Sequence, residues 1–268
     1  MPTESYRFPV DGPTHLRVRN SRGTVQITAD DIPETLVDVS GRDDVGTVRV
    51  SASDDGREVT VEVPRSWRPG GPPRYDITVR VPVRSTVDVV TASATIDTRG
   101  ALAAAEAKSA SGAITIEQVE GDCRAQSASG HVALGTIGGT VTLKSASGDL
   151  HVARAGGRCT ARTASGAVDV GWAGDLVSAV SASGGVTVRD AARGEVSCKS
   201  TSGNVAVGVR KGTLVWLDLS TVSGRTISSL RGEAGPAGDG SEDVLTIKAS
   251  TVSGNITIAP SGATTAAA

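Results

Sequence analysis

Aromatic residues are nearly absent from this 268-residue chain, which has one Phe, two Tyr and three Trp, or 2% in all. Large rings dominate the filling of wide cores, so their scarcity excludes a wide core and requires a thin one packed by small and β-branched side chains. Cysteine is scarce as well. Cys123, Cys159 and Cys198 are odd in number and follow no Cys-x-x-Cys spacing, which argues against a disulfide framework and fits reduced thiols in a bacterial-type cytoplasm. Charge of one sign is also missing. The 27 Lys and Arg stand against 29 Asp and Glu for a net charge of -2, so no global field draws the chain to nucleic acid or to an anionic membrane. No apolar run approaches the roughly 18 residues of a spanning helix. The opening Met-Pro-Thr-Glu-Ser-Tyr-Arg lacks the cationic start and apolar stretch of a secretory signal. The expectation is a cytoplasmic protein with no membrane span, no nucleic-acid partner and no cofactor.

Glycine is what the chain has in quantity, 33 residues, and much of it is periodic. Ser-Ala-Ser-Gly, once with Thr in first place, ends at Gly112, Gly130, Gly148, Gly166 and Gly184, a strict 18-residue period that marks a stacked repeat. After each motif, apolar residues take alternate positions: Ile114 and Ile116, Val132 and Leu134, Leu150 and Val152, Val168 and Val170, Val186 and Val188. The second half of each coil repeats the alternation with Cys123 and Ala125, Val141 and Leu143, Cys159 and Ala161, Val177 and Ala179, then Val196 and Cys198. Alternation within a segment predicts a strand. Recurrence between coils predicts inward ladders in which each side chain lies about 4.7 to 4.9 Å from its own kind.

The fold class expected is all-β: a right-handed, flattened parallel β-solenoid with about 18 residues per coil and N-terminal strands capping or opening the stack. A left-handed hexapeptide helix needs an aliphatic residue every six positions, but steps of six from Ile114 meet Glu120 and Gln126. A calcium-binding nonapeptide solenoid needs Gly-Gly-x-Gly-x-Asp, and no coil has it. Residues 1–90 read as an N-terminal β-strand region with an opening coil at Leu16–Thr28, and Pro64–Arg74, with Trp67, as a surface loop. Residues 91–258 read as the repeats, 231–243 as a loop, and 259–268 as a disordered tail. Ala101–Lys108 has the strongest helix propensity in the chain, yet the 18-residue register places it in a strand, and stacking is expected to prevail over a helix too short to stand alone.

Function has to reside in the outward positions. Counting the first Ser or Thr of each motif as column 1, His131 and Asp149 share column 5 of successive coils, and His151 and Asp169 share column 7. Two imidazoles and two carboxylates are sufficient for a divalent metal or an acid–base pair, although a flat sheet face offers no cleft, and cross-strand His–Asp pairing is the plainer reading. Lys108, Arg124, Lys144, Arg162 and Lys199 fall in outward positions of the second strands and form a broken basic stripe suited to an acidic partner surface or simply to a solvated face. The Ser-x-Ser hydroxyls are read chiefly as partners for turn backbone groups. No serine sits in a Gly-x-Ser-x-Gly elbow with Asp and His partners, and the chain reads as a non-enzyme.

The coil grammar Ser-Ala-Ser-Gly-x-Val-x-Val, the Asn20-Ser21-Arg22-Gly23 opening and the Tyr75–Val83 strand resemble the bacterial putative adhesin family of β-strand-repeat proteins, largely of unknown function. The likeness covers nearly the whole chain. It implies a β-solenoid with a role in surface adhesion, and it supplies no catalytic residues. The chain itself reads as a structural or interaction module that binds a protein or polysaccharide partner or assembles into a homo-oligomer. A polysaccharide-active β-helix enzyme is the alternative, with the His131 patch as its nearest approach to a site, and a surface metal site at that patch is the weaker one.

Overall fold

The computed structural model describes residues 2–42, 44–64, 73–230 and 244–262. The chain divides into two compact units, Met1–Gly138 and Gly139–Ala268. In the first, the strands are β1 (Thr3–Pro9), β2 (His15–Asn20), β3 (Gly23–Asp30), β4 (Glu34–Gly41), β5 (Arg49–Ala52), β6 (Glu58–Glu62), β7 (Tyr75–Pro82), β8 (Thr86–Thr91), β9 (Thr95–Leu102), β10 (Ala104–Ser109), β11 (Ile114–Val119), β12 (Cys123–Ser127) and β13 (Val132–Ile137). In the second they are β14 (Val141–Lys144), β15 (Leu150–Ala155), β16 (Cys159–Thr163), β17 (Val168–Ala173), β18 (Val177–Ser181), β19 (Val186–Ala191), β20 (Gly194–Ser200), β21 (Val205–Val209), β22 (Leu214–Thr221), β23 (Thr226–Ser228), β24 (Val244–Thr251) and β25 (Ile256–Pro260).

Each unit is built on a pair of sheets. In unit 1 one sheet runs β1-β4-β7-β3-β9-β11-β13 and the other β5-β6-β2-β8-β10-β12; in unit 2 they run β15-β17-β19-β21-β25-β23 and β14-β16-β18-β20-β24-β22. Successive coils pair in parallel at the expected step: Ala105 lies opposite Cys123, Ile114 opposite Val132, Leu150 opposite Val168 and Cys159 opposite Val177. Among the described residues, antiparallel pairing is confined to β1–β4, β4–β7 and β5–β6. The protein is therefore an all-β parallel β-solenoid with 18 residues per coil through its regular part. All the inward ladder residues named above are buried, and a fully buried Val, Leu or Ile contributes about 1.5 to 3 kcal/mol. The Ala-rich segment follows the register, with Ala105 and Ala107 buried in β10 opposite Cys123 and Ala125. Ladder packing has overridden helix propensity there.

Chain order and stacking order part company in both units. In unit 1 the opening coil β2–β3 is an inner layer, with β6–β7 on one side and β8–β9 on the other. In unit 2 the last coil in sequence, β24–β25, lies between β20–β21 and β22–β23. The inward columns explain the second exchange. Leu245, Ile247, Ile256 and Ile258 are completely buried, whereas Thr226 and Ser228 of β23 take the positions opposite Ile256 and Ile258. The coil whose second strand has polar residues in its inward columns lies outermost, and the coil with isoleucine there lies within. A tail was expected over 259–268, but Ala259 and Pro260 complete β25, where they pair with Gly208 and Val209. Residues 263–268, the expected loop 231–243, and 65–72 with Trp67 lie outside the described residues.

The turns interlock. The column-1 hydroxyl accepts a hydrogen bond from the motif glycine three residues on, at 2.8 Å from Gly112 N to Ser109 Oγ, 2.8 Å from Gly148 N to Ser145 Oγ and 2.9 Å from Gly184 N to Ser181 Oγ. It also donates to the glycine carbonyl of the neighbouring coil, as in Ser181 to Gly166 O at 2.9 Å and Thr251 to Gly203 O at 3.0 Å. A backbone role was expected of both hydroxyls of Ser-x-Ser, and the first performs it. The second serine of each motif, such as Ser111 or Ser183, is exposed. Glycine is required by the same contact: a Cβ on Gly184 would lie 1.9 Å from Gly166 O, while on the next residue, Gly185, the nearest atom would be 3.4 Å away. Gly184→Ala is expected to destabilise the protein by roughly 2 to 4 kcal/mol and Gly185→Ala by well under about 1 kcal/mol, as measured by urea unfolding. Equal effects would refute the turn-contact account.

Candidate binding faces

The four residues of the expected His–Asp patch divide between the units. His131 belongs to unit 1, exposed just before β13, where its carbonyl accepts from Ile114 N at 2.9 Å. Asp149, His151 and Asp169 belong to unit 2. His151 and Asp169 are register partners on β15 and β17, with Nδ1 3.4 Å from Oδ2. Asp169 is held more closely by the Arg189 guanidinium, whose Nε donates to Oδ1 at 2.9 Å, and this hydrogen bond raises the Arg189 pKa above its usual range. Asp149 serves the backbone, its Oδ1 accepting from Ala167 N at 2.8 Å. Asn204 and Asn255 do the same for Asn255 N and Arg225 N. A side-chain carbonyl in column 5 thus ties one turn to the next, and the recurrence of Asp and Asn there was the available sequence signal. Among the described residues, no three His, Cys, Asp or Glu side chains gather into a group able to hold a metal ion.

The basic residues also sort by unit and column. In unit 1, Arg124 lies opposite Glu106 and Lys108 opposite Gln126. The Lys108 ammonium is 2.6 Å from Glu106, and this hydrogen bond, with help from the Lys108 and Arg124 charges, holds the Glu106 carboxyl below its usual range. In unit 2, Lys144 lies directly opposite Arg162, Arg162 opposite Val180, and Val180 opposite Lys199. Lys144, Arg162 and Lys199 are all exposed, and among the described residues none of the three makes an ion pair. On the other sheet of unit 2, Trp172 lies between Arg154 and Asp190, and the Arg154 guanidinium stands 5.1 Å from the centre of its ring. This aromatic contact was missed in the sequence, although the 18-residue register puts Arg154 and Trp172 in one column.

The family model described as Toastrack DUF4097 matches residues 11–259, nearly the whole chain. The chain belongs to this family. No curated protein matches it. Among solved structures, a putative lipid binding protein from Parabacteroides distasonis ATCC 8503 is 14% identical over 96% of both chains, with a TM-score of 0.48. A putative adhesin from Parabacteroides merdae ATCC 43184 is 11% identical over 96% of this chain and 95% of that one, TM-score 0.45. A putative adhesin from Bacteroides fragilis NCTC 9343 is 13% identical over 96% and 97%, TM-score 0.37. As expected from the resemblance, the Toastrack chain is a β-solenoid repeat protein. No helix among its described residues is long and apolar enough to cross a membrane.

Its three cysteines are core residues of the ladders. Burial pushes the thiols of Cys123, Cys159 and Cys198 from the usual 9.0 up to about 12, which leaves no thiolate for nucleophilic work near neutrality. Because the folded-state pKa is raised, the stability associated with these groups is fully present below about pH 9 and is lost as pH rises from there towards 12. Ellman's reagent at pH 8 is expected to find no reactive thiol in the native protein and all three in denaturant. Rapid native labelling of any one would contradict their placement.

Proposed function

We propose that this chain is a non-enzymatic interaction module, a β-solenoid scaffold whose outward columns dock a macromolecular partner with an acidic surface. The observation that carries the proposal is the exposed pair Lys144 and Arg162, two like charges set directly opposite each other on β14 and β16. Like charges on neighbouring strands destabilise a sheet, and an anionic partner turns that cost into binding energy. Lys199 extends the positive column beyond Val180. The residues with catalytic potential support the same reading: Asp149 serves the backbone, Asp169 is engaged by Arg189, and the thiols are buried. Three buried, unpaired thiols also favour a cytoplasmic setting.

A polysaccharide is the second reading for the partner, favoured by Trp172, whose partly exposed ring offers an amphipathic surface beside Arg154 and Asp190. The full-length protein can be passed over poly-glutamate and heparin columns in a salt gradient, alongside Lys144→Glu/Arg162→Glu. Retention of the wild type on either matrix, weakened roughly tenfold or more by the double charge reversal at unchanged thermal stability, is the expected result. A wild type that flows through both at low salt, or a variant retained equally well, would refute the acidic-partner proposal.

A further inference from the structure

The outermost strands of unit 2 are unlike those of unit 1. In unit 1 the sheets end in β1 and β5. Glu4, Arg7 and Pro9 on β1 and Arg49 on β5 are residues of the kind that protect an open edge from pairing with another chain. In unit 2 the sheets end in β22 and β23, and among the described residues nothing pairs with their outer edges. The eight residues of β22, Leu-Val-Trp-Leu-Asp-Leu-Ser-Thr, contain no Lys, Arg or Pro. Its inward side chains Val215, Leu217 and Leu219 lie opposite the buried Leu245, Ile247 and Ala249, yet remain only half-buried, and among the described residues no further coil covers them. Leu214, Trp216, Val222 and Ile227 of the same coil are 55%, 56%, 80% and 50% exposed. A long, largely apolar edge whose one charged residue is Asp218 is an interface in waiting.

We infer that this edge pairs with the same edge of a second copy of the chain, joining β22 to β22 and β23 to β23 antiparallel about a two-fold axis perpendicular to the sheets. Such an axis maps each sheet onto itself, so both open edges close together. The sequence of β22 selects the register. Residues directly opposite must point to the same face, so the axis passes through a residue, not between two. Centred on Asp218, pairing would set two carboxylates face to face, which is unfavourable. Centred on Trp216, it would leave most of the C-terminal half of β22 unpaired. Centred on Leu217, it sets Leu217 against its own copy, Val215 against Leu219 and Trp216 against Asp218, and the three inward residues complete an apolar ladder. The contact is isologous and consumes the open edge of both copies, so the assembly stops at a dimer. It uses the end coil of unit 2 and not the Lys144–Arg162 face, so it stands or falls independently of the acidic-partner proposal.

The test is light scattering on the full-length protein over a roughly hundredfold concentration range, with Trp216→Lys, Leu217→Cys and Lys144→Glu/Arg162→Glu. Opposed Cα atoms in an antiparallel pair lie about 4.5 to 5.5 Å apart, within the span of a disulfide. Leu217→Cys should therefore form a covalent dimer when diamide accepts the two electrons and two protons of the thiol pair, and the native cysteines are too deeply buried to compete. The expected outcome is a wild-type dimer, at least tenfold weaker in Trp216→Lys with its circular dichroism unchanged, and intact in the Lys144–Arg162 variant. A monomer throughout, an open-ended polymer, or a dimer that Trp216→Lys leaves intact and Leu217→Cys fails to cross-link would each overturn the inference.

Discussion

The structure depends on how closely one turn lies over the next. At the motif glycine of the regular coils, the carbonyl of the neighbouring turn occupies the space a side chain would need, about 2 Å from where a Cβ would sit. This approach lets the column-1 hydroxyl bond its own turn and the adjacent one at once, and it sets the coil spacing that the strand ladders then use. Parallel strands joined through such turns cannot slip by one residue. A slip would turn every ladder inside out and would drive side chains into carbonyl oxygens.

The ladders fill the space that this spacing leaves. With few rings available, the interior is packed by Val, Ile, Leu, Ala and Cys in stacks of like volume, and cysteine is used as a small apolar residue. The exterior has no comparable constraint, and charged residues there meet either within a column, as His151 does with Asp169 and Lys144 with Arg162, or two residues off it, as Arg189 does with Asp169 and Lys108 with Glu106. Exposed pairs of the first kind contribute little to stability, on the order of 0 to 1 kcal/mol. The like-charged pair is the exception, and the proposed docking of an acidic partner rests on it.

Much of this was legible in the sequence, because a stacked repeat turns spacing into contact. The 18-residue period predicted the pairing of Ile114 with Val132 and strand over Ala101–Lys108 against its helix propensity, although the segment is divided at Ala103 between the end of β9 and the start of β10. It also predicted the meeting of His151 with Asp169. The layer order near the ends was not legible, since period and alternation say that a coil stacks but not upon which neighbour. The deciding signal was present in the inward columns, where Thr226 and Ser228 stand in place of the isoleucines at 256 and 258. The role of Asp149 was hidden for another reason. A carboxylate that accepts from a backbone amide one coil away looks, in sequence, like one that waits for a metal.

The exchanged order of the last coils bears on how the chain is completed as it is made. The strands β24 and β25 leave the ribosome after β22 and β23, yet they form the layer on which β22 and β23 rest. Until those residues are synthesised, the outermost coil lacks the layer on which it rests. Unit 2 therefore cannot close progressively from its first coil to its last. Its outermost layer is set only once β24 and β25 are available, and a chain cut before residue 244 would leave a stack that ends at β20 and β21 with an unanchored segment beyond it.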